Sequence, residues 1–65
     1  MNKRLQFTVP IEEDVFKNID GCIIATTTAP HRPGMKLLIA LVHEPEAEIF
    51  LRLKYLGREL HVMEY

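Results

Sequence analysis

The chain has no tryptophan and no serine, a single cysteine and only three glycines in 65 residues. Each shortage removes a class of explanation. One cysteine, Cys22, excludes an internal disulfide and every zinc pattern built on cysteine pairs. Without serine there is no Ser-nucleophile scheme. Cys22 itself is followed by Ile23 and Ile24, a setting for an inert, buried thiol. A reducing, cytoplasmic location is expected. The N-terminal MNKRLQFTVP has two basic residues with no apolar run behind them, so it does not read as a signal peptide. The longest apolar run, residues 37–42, is too short to span a bilayer, and no membrane association is expected.

A marked excess of either charge is missing too. Eight Lys plus Arg stand against nine Asp plus Glu, a formal net charge of −1. That balance argues against a protein built to coat nucleic acid, which needs a strong basic excess. Phosphate-cradling motifs are absent, both GxxxxGK[ST] and GxGxxG, and the HEP at residues 43–45 is not HExxH. His31, His43 and His61 lie twelve and eighteen residues apart, which matches no local ligand signature. Neither a metal nor a cofactor is expected. The acid runs Glu12-Glu13-Asp14 and Glu46/Glu48 are explained by helix first turns, where the macrodipole favours anions. No catalytic residues are assigned, and no enzyme is expected.

What is present is 48% hydrophobic and 26% charged, the mix of a globular chain. Residues 1–65 are read as one compact domain, small enough that its core is marginal without help from a partner or an oligomer. Arg4 to Val9 alternates, with Leu5, Phe7 and Val9 on one face, which predicts a half-buried strand. Ile11, Val15 and Ile19, with Phe16 beside them, fall on one helical face. A short helix over 11–20 is therefore expected, stopped by Gly21. Cys22–Thr28 and Met35–His43 read as strands joined by a Pro/Gly loop, hence a hairpin. Pro45, the acids Glu44, Glu46 and Glu48, the bases Arg52 and Lys54, and Gly57 together predict a second helix over 45–56. Arg58 to Tyr65 closes the chain as a strand.

The expected order is β-α-β-β-α-β, an α+β fold in which two short helices cover one face of a compact antiparallel sheet, ferredoxin-like in miniature. The alternative, should 45–56 be strand, is a small all-β half-open barrel.

Two surfaces stand out. The loop TTTAPHRPGMK is stiffened by Pro30 and Pro33, and its Thr28, His31, Arg32 and Lys36 form a candidate contact surface for a partner. The strand at 37–42 is apolar on both faces. With Leu37, Ile39 and Leu41 assigned inward, Leu38, Ala40 and Val42 are left for an interface, joined by Met63 and Tyr65. The function expected is a small non-enzymatic interaction module, a regulator or stoichiometric inhibitor of a larger protein and a homodimer. The competing reading is a nucleic-acid or phosphate binder using the 26–36 loop with Arg52, Lys54 and Arg58. Five aromatic residues are few for a base-stacking surface.

Overall fold

The computed structural model describes residues 2–15 and 17–64. Strand β1 (Lys3–Pro10) is followed by an irregular crossover, then by β2 (Cys22–Thr28) and β3 (Met35–Val42). Helix α1 (Pro45–Lys54) and strand β4 (Leu60–Glu64) complete the chain. The strands form one open antiparallel sheet in the order β2-β3-β1-β4. The class is α+β, with one helix.

Helix α1 is where its charges and Pro45 place it. Proline opens the first turn, where its missing N–H costs nothing. Glu46 and Glu48 sit at the positive end of the dipole, Arg52 and Lys54 at the negative end. Gly57 follows with φ +85°, the left-handed conformation that lets the chain leave the helix. The half-open barrel is thereby excluded.

The helix expected over 11–20 does not form among the described residues, and with it goes the six-element arrangement. Phe16 lies outside those residues. Ile11, Val15 and Ile19 are β-branched, and Asp14, Asn18 and Asp20 are poor helix formers. Ten residues are also too few to hold a helix without strong tertiary support. Tertiary bonds pull the other way: the Lys36 ammonium donates to the Glu13 carbonyl at 2.7 Å, and Arg58 grips the Glu13 carboxylate at 2.6 Å. That carbonyl is an acceptor a helix would need. Val15 and Ile19 nevertheless reach the core, so the crossover covers it without helical order.

Register decides which face is inside. Leu5 pairs with Ala40 and Val62, Phe7 with Leu38 and Leu60, and paired residues share a face. Leu5, Phe7, Val9, Leu38, Ala40 and Val42 are buried together with Ala47, Leu51 and Tyr55 of the helical segment. The Phe7 and Tyr55 rings meet at 5.2 Å in a tilted arrangement. The two faces of β3 are thus the reverse of the expectation. Leu38, Ala40 and Val42 line the core, and Leu37, Ile39 and Leu41 face outward. The small Ala40 and Ala47 in the buried set let helix and sheet approach closely, whereas the outward set has no small residue at its centre.

Candidate functional site

The helix and crossover cover one face of the sheet, and no element covers the other among the described residues. Residues on that open face follow from the register. They are Arg4, Gln6 and Thr8 from β1, Leu37, Ile39 and Leu41 from β3, Ile23, Ala25 and Thr27 from β2, and His61 and Met63 from β4. Ile23 is 64% exposed and Met63 57%, while Leu37 and Ile39 are half-buried by their neighbours. Arg4 is opposite Leu41 on one side and Met63 on the other, so a guanidinium lies within an apolar field. It donates to the Gln6 side-chain carbonyl at 3.2 Å, but its buried Nε has no acceptor among the described residues.

At one end of this face the 26–36 loop folds over. An open groove of about 260 Å³ is bounded by Gln6, Thr8, His31, Arg32, Leu37, Glu59 and His61, with Ala29 and Pro30. Glu59 organises it. Its carboxylate accepts from Arg32 at 3.1 Å and from the Thr8 hydroxyl at 3.2 Å, and its carbonyl accepts the Thr8 N–H. Thr8 is buried as a result.

The four loop residues expected to act together are divided. His31 and Arg32 border the open-face groove. Thr28 and Lys36 are a registered pair on the other side of the sheet, and line a separate groove of about 290 Å³ with Ile11, Thr26, Thr27 and Met35. Lys36 is committed to the Glu13 carbonyl. Of the expected interface residues, Met63 is on the open face, Leu38, Ala40 and Val42 are in the core, and Tyr65 lies outside the described residues. Sequence reading missed Glu59, Arg4 and the outward set Leu37, Ile39 and Leu41. The alternation Arg4-Gln6-Thr8 was a signal for one polar face of β1, but it did not say which apolar set of β3 shares that face.

Most of the cations that a phosphate reading requires are already engaged. Arg32 pairs with Glu59, Arg52 with Glu48 and Arg58 with Glu13, and Lys54 lies 5.7 Å from the Tyr55 ring centre. Burial pushes the Glu48 carboxyl up, but Lys3 and Arg52 outweigh this and hold it below the usual glutamate range. Burial raises the Cys22 thiol, whose Sγ lies 3.7 Å from the Ile19 carbonyl, so it is a poor nucleophile. The Tyr55 phenol is raised by burial and by Glu13, against a smaller opposing effect of Arg58.

Among the described residues no three His, Cys, Asp or Glu side chains converge into a metal-holding group, and no helix is long and apolar enough to cross a membrane. No protein-family model, curated protein or solved structure matches this chain.

Proposed function

We propose that this chain is a non-enzymatic protein-interaction module, a regulator or stoichiometric inhibitor that binds a larger protein through its open sheet face. One observation carries the reading: Ile23, Leu41 and Met63 are exposed on a sheet face that no other described element covers, with Arg4 among them. Contiguous exposed apolar surface on a small domain marks interaction sites, and an arginine within an apolar field is a recurrent energetic centre of interfaces. Among the described residues the face carries no carboxylate short of Glu59 at its end. The partner surface that fits is therefore apolar with a carboxylate placed to meet Arg4. The engaged state of Arg32, Arg52 and Arg58 speaks against the phosphate-binding alternative. A lone thiol kept protonated by burial is compatible with an intracellular, reducing setting.

The test compares wild type with Leu41→Asp and Arg4→Gln as baits in a native extract, followed by titration of the captured protein against each purified variant. Leu41→Asp should fold, because the side chain is exposed, and should lose binding at least tenfold. Arg4→Gln should weaken binding and reduce its salt dependence. A partner held equally by all three, or one whose binding collapses in moderate salt like a polyanion, would overturn the reading.

A further inference from the structure

At each sheet edge a row of backbone groups points away from the sheet, and the two edges are not equivalent. The direction of every backbone group follows from the ladder ends. The His43 N–H donates to the Gly21 carbonyl, the Ile11 N–H to the Gly34 carbonyl, and the Thr8 N–H to the Glu59 carbonyl. Because hydrogen-bonded pairs alternate along an antiparallel ladder, Ile23, Ala25 and Thr27 point their backbone groups at β3. Cys22, Ile24, Thr26 and Thr28 point theirs outward. The Cys22 N–H is satisfied by the Ile19 carbonyl, but among the described residues Ile24, Thr26 and Thr28 make no backbone bond on that side.

Proteins protect such edges with charge, proline, bulges or brevity. Strand β4 is short and carries Glu64 and His61. Strand β2, CIIATTT, has seven residues, no charge and no proline. It is also self-complementary. A twofold axis through Ala25 opposes Ile24 to Thr26 and Cys22 to Thr28 on the core side, and Ile23 to Thr27 on the open side. Every residue keeps its face, as a one-residue slip would not allow. The outward pair Ile24 and Thr26 then exchanges N–H···O=C bonds with its counterpart, and the Thr28 N–H reaches the Cys22 carbonyl.

We propose that two copies of this chain pair antiparallel along β2, centred on Ala25, to form one continuous eight-stranded sheet. The two open faces then lie side by side on the same surface of that sheet, so the dimer presents the proposed partner site twice. The dimer rests on the edge and not on the open face, so either can fail without the other.

The experiment is mass by sedimentation equilibrium from micromolar to submillimolar protein. Wild type should reach twice 7.6 kDa. Thr26→Pro removes an outward N–H and leaves the bonds to β3 in place, a substitution edge strands accept. It should be monomeric with an unchanged circular dichroism spectrum. Ala25 faces its own copy across the axis on the exposed side, so Ala25→Lys and Ala25→Glu should each be monomeric, and their mixture should form a one-to-one heterodimer. This last pair decides the matter even if Thr26→Pro fails to fold. Leu41→Asp should remain dimeric while losing the captured partner. A monomeric wild type, a dimeric folded Thr26→Pro, or no heterodimer on mixing would overturn the proposal. A dimer lost in Leu41→Asp but kept in Thr26→Pro would overturn it as well, since the copies would then meet face to face.

Discussion

The backbone carbonyl of Gly21 accepts the N–H of Glu44 at 3.2 Å and that of His43 at 2.9 Å, tying the end of the crossover to the start of helix α1. Gly21 has φ +89°, and a Cβ there would lie 2.8 Å from Glu44 Cβ. Gly21→Ala should therefore cost at least about 2 kcal/mol, backbone strain and displacement of the helix start acting together. Gly57→Ala has the same sign of φ but open space around the added methyl, so about 1 kcal/mol is expected. Urea midpoints of the two variants, compared at equal m values, check the difference. Equal losses would mean that contact with Glu44 contributes nothing.

Glu48 joins β1 to the helix through Lys3 at 3.2 Å and closes a helical turn with Arg52 at 3.0 Å. Its side chain is only 12% exposed, so these bonds are poorly screened. Glu48→Gln should destabilise by about 1–2 kcal/mol. Because the folded-state pKa is lowered, this stabilisation is complete above the ordinary glutamate value of about 4.3. It is lost as pH falls through the lowered value. Unfolding curves of wild type and Glu48→Gln should diverge at neutral pH and converge in acid; a gap that persists at low pH would contradict the charge argument.

The Tyr55 hydroxyl is buried and has no hydrogen-bond partner among the described residues. Leaving such a group unsatisfied is costly, while its ring packs well on Phe7. Tyr55→Phe should thus match or exceed wild type in stability, by up to about 1 kcal/mol. Thermal unfolding checks this, and a loss above that size would reveal a bond the hydroxyl makes in solution.

His31 and Arg32 are exposed, and the Arg32–Glu59 pair has both side chains about half in water. Surface pairs of this kind contribute about 0–1 kcal/mol. The double change to alanine should move the denaturation midpoint by no more than that. Partner affinity should fall if the loop borders the contact surface, and Arg32→Lys should recover only part of it, since a lysine cannot offer the planar fork. Full recovery by lysine would make the contribution one of charge alone.

Some of this architecture was legible because the signal is local. Strand β1 alternates over six residues, and helix α1 carries its proline, its dipole-matched charges and its terminal glycine within thirteen. The crossover was not, because Val15 and Ile19 meet the core at helical spacing whichever backbone carries them. What decides their conformation is Lys36 and Arg58, two cations far away in sequence that hold Glu13. The face of β3 was misjudged for a related reason. Leu37 to Val42 is apolar throughout, so only the seating of Ala47 and Leu51 over Leu38, Ala40 and Val42 distinguishes inside from outside. Nothing local marks Glu59, because its partners Thr8 and Arg32 lie 51 and 27 residues away in the chain and meet it only in the folded sheet.

The central position of β1 also has a consequence for how the chain acquires its structure. Leu5 must find Ala40 on one side and Val62 on the other, while β2 and β3 need only close a short loop. The hairpin can form early, but the central strand waits for partners encoded far downstream, and each closure loses loop entropy before contacts repay it. Folding should accordingly be slow for a chain of this size. During synthesis the Leu5-Phe7-Val9 face stays uncovered until helix α1 emerges to seat Ala47 and Leu51 in the core, which is the interval in which the nascent chain most needs protection from its neighbours.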